Sequence, residues 1–160
     1  MKLYLVQHGE AVGKDVDPER PLSEQGERDI AALAAFLQQA AVTVERLWHS
    51  GKLRARQSAE LLARRTLPGG AIEPISGIRP NDSVTAFARD ADVWEQDTLV
   101  VGHLPFQARL VALLVTGDPD REVVSFRPGS MVCLERGASD DWTVVWMLRP
   151  ELLARTAGPT

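Results

Sequence analysis

Residues 3–10 read Leu-Tyr-Leu-Val-Gln-His-Gly-Glu, four apolar residues followed abruptly by polar ones. An apolar run of this length is typical of a short β-strand. The run stops at Gln7-His8-Gly9, so a histidine stands directly beyond the end of the predicted strand. In open α/β sheets, ligands bind beyond the carboxyl ends of the strands. If the sheet is of this kind, His8 lies at a ligand-binding edge.

The same arrangement recurs at two further predicted strands. Residues 44–48 are followed by His49 and Ser50, and residues 98–101 are followed by Gly102 and His103. With His8, these are the 3 histidines of the chain. A single histidine at a strand end is most often incidental. Three at equivalent places indicate a shared site.

A segment with the spacing of a helix follows each of these strands. Ser23 is the expected N-cap of the first helix, a second helix is predicted over about residues 52–65, and Pro105 falls in the first turn of a third that ends near Gly117. The first helix has its apolar positions at Ile30, Leu33, Ala34 and Leu37.

The remaining elements complete the fold prediction. Residues 71–75 read as a strand, Asp82 or Ser83 caps a short helix, and two strands joined by a tight turn occupy about residues 130–148. Alternating strands and helices predict a single α/β domain over residues 1–150, with a mostly parallel central sheet flanked by helices on both faces. The last strand pair adds antiparallel character. From Pro150 we expect fraying, with residues 151–160 as a C-terminal tail.

Composition excludes several classes of function. The formal net charge is -4 and the pI is about 5.4, which argues against a broad basic surface for nucleic acid or anionic lipid. The N-terminal apolar run, Leu3–Val6, is too short for a signal peptide or a membrane span, so we expect a cytoplasmic protein.

Cysteine and tryptophan usage adds no functional site. The single cysteine, Cys133, cannot form an internal disulfide and belongs to no Cys/His cluster, so we expect a buried thiol and no metal or cofactor. The 4 tryptophans are interpreted as packing residues.

Two arginines accompany the histidines. Arg54 falls in the first turn of the second predicted helix, and Arg20 precedes the first. Guanidinium groups bind two phosphate oxygens at once, and N–H groups at a helix start favour an anion further. Arg54 and Arg20 are therefore candidates for binding a phosphate, and the alternative for either one alone is a solvated surface charge. The arginines interpreted as ordinary surface charges are Arg56, Arg64 and Arg65.

Four segments together resemble the motif series of a known family. They are Gln-His-Gly-Glu (residues 7–10), Arg-Pro-Leu-Ser (20–23), Ser-Gly-Lys-Leu-Arg-Ala-Arg-Gln (50–57) and Gly-His-Leu-Pro (102–105). In this order and at strand ends, they resemble the histidine phosphatase superfamily, and most closely its SixA-type phosphohistidine phosphatases. The resemblance covers almost the whole chain and implies a phosphoglycerate mutase-like fold and a metal-independent phosphatase.

The resemblance also implies residue roles. His8 would be the nucleophile and carry a phosphohistidine intermediate, with a hydrogen bond to its other ring nitrogen fixing the tautomer. Arg54 would clamp phosphate oxygens, and His103 would donate to the transferring group. The further phosphate-binding residues would be Gln7, Gly9 and Arg20.

One motif position departs from the family. The signature begins Arg-His-Gly, whereas this chain has Gln7, whose amide donates a hydrogen bond without charge. Losing one charge-assisted contact costs roughly 1.5–3 kcal/mol, which is about ten- to a hundred-fold in rate. One hypothesis is that His49 supplies compensating positive charge, and the alternative is that His49 is incidental.

The proton donor is open at this stage, with Asp82 and Glu10 as the candidates. A phosphoramidate releases a neutral imidazole, so a missing strong acid favours phosphohistidine as substrate. Only about 50 residues separate the second strand from His103, which leaves little room for a lid and favours a phosphorylated side chain on a protein.

The predicted function is therefore dephosphorylation of phosphohistidine on signalling proteins such as phosphotransfer domains, by a monomer or weak dimer. Two alternatives remain. One is a small-molecule phosphomonoesterase of the same superfamily. The other is a catalytically impaired protein that binds phosphorylated ligands, because Gln7 replaces the motif arginine.

Overall fold

A six-stranded sheet forms the centre of the protein, of which the computed structural model describes residues 1–153. In chain order the elements are β1 (Lys2–Gln7), α1 (Glu24–Gln39), β2 (Arg46–His49), α2 (Leu53–Thr66), β3 (Glu73–Pro74), α3 (Val84–Ala91), β4 (Thr98–Gly102), α4 (Phe106–Thr116), β5 (Met131–Arg136), β6 (Trp142–Leu148) and α5 (Pro150–Leu153).

The strand order brings the ends of β1, β2 and β4 to one edge. The order is β3-β2-β4-β1-β5-β6, in which the first four strands are parallel and β5 runs antiparallel to both β1 and β6. Val101 of β4 pairs with Val6 on one side and with His49 on the other. The predicted α/β fold, with its mostly parallel sheet and antiparallel last pair, is confirmed.

Strand β1 shows why both faces of the sheet need helices. Tyr4 and Val6 pack with α1 and α2 in one core, whereas Leu3 and Leu5 pack with α3 and α4 in the other. All four side chains are at most 4% exposed. Since successive side chains of a strand point to opposite faces, a wholly apolar strand requires an apolar layer on each side.

Helix boundaries follow local hydrogen bonding. Ser23 Oγ accepts from Gly26 N and caps α1 as expected. Of the two candidates for α3, Ser83 is the N-cap, with its Oγ accepting from Ala86 N. Helix α4 ends at Gly117, which adopts the left-handed conformation with φ 80. Pro105 stands one residue earlier than predicted, as the N-cap of α4 after a cis peptide bond.

The expectation of fraying from Pro150 is wrong as far as residue 153. Residues 150–153 form α5, in which Pro150 and Leu153 are buried and which packs against α1. The rest of the expected tail, residues 154–160, lies outside the described residues. Cys133 is a buried free thiol, as expected. Within residues 1–153, no helix combines the length and the apolar character needed to cross a membrane.

Candidate active site

Parallel pairing of β1 and β4 brings two histidines together. His8 follows β1 directly, and its backbone N–H donates to Gly102 O, at the end of β4, at 3.1 Å. His103 comes next in the chain after Gly102. The ring centroids of His8 and His103 are 5.1 Å apart, with their planes tilted by 54°. Strand register alone thus places the two imidazoles side by side at the carboxyl edge of the sheet.

The tautomer of His8 is set by its neighbour in the chain. His8 Nδ1 lies 2.6 Å from Gly9 O. A carbonyl oxygen only accepts, so the proton resides on Nδ1 and the lone pair on Nε2. Burial, together with the charges of Arg54 and Arg20, lowers the pKa of His8 to about 4, although the hydrogen bond to Gly9 acts in the opposite direction. At neutral pH, His8 is therefore a neutral imidazole whose Nε2 is available as a nucleophile.

Ser58 connects residues 8–10, which follow β1 and are called the nucleophile loop below, to α2. Its hydroxyl is fully buried, accepts from Gly9 N at 3.0 Å and donates to Arg54 O at 2.8 Å. The bond to Gly9 holds the same residue whose carbonyl fixes His8. Gly9 itself has no room for a side chain, because a Cβ there would lie 2.9 Å from Gly26 O. Sequence reasoning assigned Ser58 and Gly26 no role.

Two guanidinium groups face the histidines. Arg54 Nε donates to His8 Nε2 at 3.3 Å, and Arg20 Nε donates to Val12 O at 3.1 Å. Burial and the charge of Arg20 both lower the pKa of Arg54. Neither makes an ion pair with a carboxylate of residues 1–153. Arg20 has φ 49, an uncommon conformation for a residue with a side chain. Such a pocket attracts an anion.

His103 is held by a serine that follows β2. Its Nε2 lies 2.6 Å from Ser50 Oγ, and its side chain is buried. Burial, together with the nearby His8, Arg54, Lys52 and Arg20, lowers the pKa of His103 to about 3. His103 is therefore neutral as well and offers one N–H donor.

Gln7 ends β1 with its side chain buried. The backbone N–H donates to Ser130 O at 3.1 Å, and the side-chain Oε1 has no hydrogen-bond partner among the described residues. The amide adds no charge to the pocket, so the positive charge near the nucleophile comes from Arg54 and Arg20.

His49 forms a hydrogen bond within the turn that follows β2. Its Nδ1 accepts from Gly51 N at 3.0 Å, so that nitrogen carries no proton. Burial lowers the pKa of His49, which keeps the ring neutral. This arrangement does not support the hypothesis that His49 supplies compensating positive charge. It favours the alternative, in which His49 stabilises its own turn.

The two candidate proton donors lie outside the histidine pair. Asp82 Oδ2 accepts from Arg79 N at 2.8 Å and lines a groove of about 660 Å³ that Ser50 also lines. Glu10 Oε1 accepts from Ser23 Oγ at 2.9 Å on the surface. Neither carboxylate is hydrogen-bonded to His8 or to His103, so a role for either as proton donor stays a prediction.

The arrangement is suited to phosphoryl transfer by a nucleophilic imidazole. His8 supplies the lone pair, and Arg54 and Arg20 supply charge for the equatorial oxygens, so little is needed beyond positioning and electrostatic stabilisation. Among residues 1–153, no group of His, Cys, Asp and Glu side chains is arranged to hold a metal ion.

Comparison with known proteins agrees with this chemistry. The family model described as histidine phosphatase superfamily (branch 1) matches residues 3–76. An uncharacterized protein of Picosynechococcus sp. is 30% identical over 146 residues, which cover 87% of each chain. The chain belongs to the histidine phosphatase superfamily. The recognition made from the four sequence motifs is thereby confirmed.

Solved structures show which members of the superfamily this phosphatase resembles. The structure of the protein histidine phosphatase SixA complexed with tungstate has a TM-score of 0.84 and 25% identity, covering 96% of this chain and 99% of that one. The alpha-ribazole phosphatase from Shigella flexneri has a TM-score of 0.70 and 15% identity, covering 94% and 97%, and shares the fold. The predicted phosphoglycerate mutase-like fold, in its SixA form, is confirmed.

A histidine phosphatase with this buried pocket should keep its nucleophile neutral in mild acid. We expect the His8 ring to titrate with a midpoint near pH 4, so that protonation abolishes its nucleophilicity only below that pH. Imidazole NMR shifts followed from pH 8 to pH 3, with the amide spectrum verifying the fold at each point, measure this midpoint. A His8 midpoint near the ordinary value of about 6.5 would contradict the prediction.

Proposed function

We propose that this phosphatase hydrolyses phosphohistidine on proteins, through a phosphoryl group carried on His8 Nε2. The observation that carries the proposal is a neutral nucleophile set among cations, with no acidic side chain of residues 1–153 hydrogen-bonded to either histidine. A site of this kind suits a leaving group that departs without a strong acid.

In the first half-reaction, the lone pair of His8 Nε2 attacks phosphorus, and the bond from phosphorus to the substrate's imidazole nitrogen breaks. When the other nitrogen of that imidazole is protonated, it leaves as a neutral ring. Arg54 and Arg20 neutralise the charge on the transferring oxygens, and His103 donates its single N–H to them.

In the second half-reaction, the imidazole of His8 is itself the leaving group. Gly9 O keeps a proton on His8 Nδ1, so the phosphorylated ring also departs as neutral imidazole when water attacks phosphorus. The bond from phosphorus to Nε2 breaks, the water oxygen stays on phosphate, and its surplus proton goes to phosphate or solvent. Both leaving groups are imidazoles of the same protonation state, which makes the two steps chemically alike.

The surroundings favour a macromolecular substrate. The groove of about 660 Å³ adjoins the site through Ser50 and continues along β3 and α3, where Ile75, Ser76 and Arg79 line it. An open groove accommodates a phosphorylated side chain on a protein surface better than a small metabolite, which needs enclosure. We therefore propose a phosphotransfer domain in signalling as the partner, and cytoplasmic action as a monomer or weak dimer.

A second candidate is a small-molecule phosphomonoesterase. Asp82 lies in the same groove as Ser50, where it is available to a leaving alkoxide that needs a proton. The fold shared with an alpha-ribazole phosphatase is compatible with this candidate.

The test compares wild type with His8→Ala on a phosphohistidine-bearing protein domain and on an alkyl phosphate, under metal-free conditions. We expect wild type to release phosphate from the domain and to form a phosphoenzyme, and His8→Ala to do neither, because the attacking nitrogen is gone. His49→Asn, which keeps an acceptor near Gly51 N, should retain activity and serves as the matched histidine control.

Three other results would change the conclusion. Efficient cleavage of the alkyl phosphate that is lost in Asp82→Asn would favour the phosphomonoesterase. Phosphate binding without any turnover or phosphoenzyme would favour the ligand-binding alternative that Gln7 raises. Turnover by His8→Ala equal to that of wild type would overturn the nucleophile assignment.

A further inference from the structure

Ser50 forms a hydrogen bond with His103, the second histidine of the pair. Ser50 follows β2 directly, and its Oγ lies 2.6 Å from His103 Nε2. Lys52 N donates to the same oxygen at a longer 3.4 Å. Ser50 also lines the groove beside the site, so its hydroxyl lies between the second histidine and the space open to substrate.

The direction of this bond decides which ring nitrogen carries the proton. If Ser50 donates, its oxygen still accepts from Lys52 N and its proton is used on His103 Nε2. If His103 Nε2–H donates instead, the hydroxyl proton has no acceptor among residues 1–153 and is left to solvent in the groove. The first arrangement satisfies every polar group of the serine, and buried or half-buried hydroxyls favour full satisfaction.

We infer that Ser50 is a positioning residue that donates its hydroxyl proton to His103 Nε2 and thereby fixes the Nδ1–H tautomer. Nδ1 has no hydrogen-bond partner among the described residues, so Nδ1–H is the donor left for the transferring oxygens. His8 and His103 then carry the same tautomer, one fixed by the Gly9 carbonyl and the other by the Ser50 hydroxyl.

This role matters because His103 stays neutral beside Arg54, Arg20 and Lys52, and a neutral imidazole has a single N–H. Without Ser50 the ring would divide between two tautomers and lose its rotational restraint. In one of them a lone pair, rather than a donor, would face the oxygens. The kinetic consequence rests on the proposed function, whereas the tautomer itself does not.

The direct test is the protonation of the ring nitrogens, read by long-range ¹H–¹⁵N NMR. Protonated and unprotonated imidazole nitrogens give well-separated ¹⁵N shifts, and with 3 histidines in the chain each ring is assigned by single replacement. In wild type we expect Nδ1–H at His8 and His103, and Nε2–H at His49, whose Nδ1 accepts from Gly51 N. Ser50→Ala should give averaged ¹⁵N shifts at His103 alone. Ser50→Thr should restore the wild-type shifts.

The matched control is Ser76→Ala, an exposed serine of the same groove that makes no contact with His103, and it should leave the His103 shifts unchanged. With an aryl phosphate as substrate, Ser50→Ala should lower kcat about tenfold with little change in KM, since one donor is impaired only in the transferring state. An Nε2–H tautomer in wild type, or unchanged His103 shifts in Ser50→Ala, would overturn the inference. Normal His103 shifts in a wild type that releases no phosphate from a phosphohistidine-bearing domain would instead count against the proposed function.

Discussion

Replacing Arg54 with lysine is expected to lower kcat/KM by about 10²–10³-fold and to leave the fold intact. The guanidinium of Arg54 is already directed at the nucleophile, with Nε donating to His8 Nε2 at 3.3 Å. An incoming phosphoryl group must displace the Arg54 guanidinium from His8 Nε2. The phosphoryl oxygens then accept hydrogen bonds from this planar group, which is already held beside the nucleophile. Lysine keeps the charge but lacks the planar fork that binds two oxygens at once.

The neighbouring arginine provides the matched control. Arg56, two residues along the same helix, is exposed and pairs with Glu60 at 3.7 Å. Arg56→Lys should leave kcat/KM within about twofold, because an exposed pair of this kind contributes little. Steady-state kinetics with one substrate measure kcat/KM for both variants and allow the two losses to be compared. Equal losses would mean that general charge, rather than the geometry of Arg54, governs turnover.

The parts of this site that could be read from the sequence depend on strand ends. An apolar run that stops at a histidine locates that histidine at a sheet edge, and parallel pairing then brings His8 and His103 together. Arg54 could be placed because it follows a strand at the start of a helix. These positions depend on periodicity and topology, which are patterns that a single sequence contains.

The parts that could not be predicted depend on which side chains touch. Ser58 and Ser50 became meaningful only once their hydroxyls were found on Gly9 N and His103 Nε2. The structure does not support the charge hypothesis for His49, because the ring is buried and accepts from Gly51 N, and neither fact is visible in the sequence. The helical order of α5 likewise comes from packing on α1, a long-range contact that the local sequence does not show.

Gln7 shows how the two kinds of information combine. The sequence identifies the missing arginine, and the structure supplies what surrounds the substitute: an unpaired Oε1 on a buried side chain, with Arg54 and Arg20 as the cations near His8. The positive charge nearest His8 therefore comes from two arginines rather than three. Activity therefore depends more strongly on where the nucleophile loop holds His8 relative to Arg54 and Arg20.

That loop is held by a glycine on α1, and Gly26→Ala is expected to damage both stability and activity. A Cβ at Gly26 would overlap the carbonyl oxygen of Glu10 and lie 2.9 Å from its carbon and nitrogen. In a helix, replacing glycine with alanine ordinarily stabilises by about 0.5–1 kcal/mol. Here the added Cβ would overlap backbone atoms, which cannot move aside by changing rotamer as a side chain can. We therefore expect Gly26→Ala to lower the free energy of unfolding by roughly 1–3 kcal/mol.

The activity loss should exceed what unfolding explains. Glu10 is two residues from His8, and moving this backbone also shifts Gly9, whose carbonyl sets the His8 tautomer. A displacement of about 1 Å at reacting groups costs up to about 10²-fold in rate, so kcat/KM at 25 °C should fall well over tenfold in protein that is still folded. Denaturant unfolding and kinetics on the same preparation measure both quantities. The exposed neighbour Gln25→Ala should change neither, and a Gly26→Ala protein as stable and active as wild type would show that the nucleophile loop is not fixed by its contact with α1.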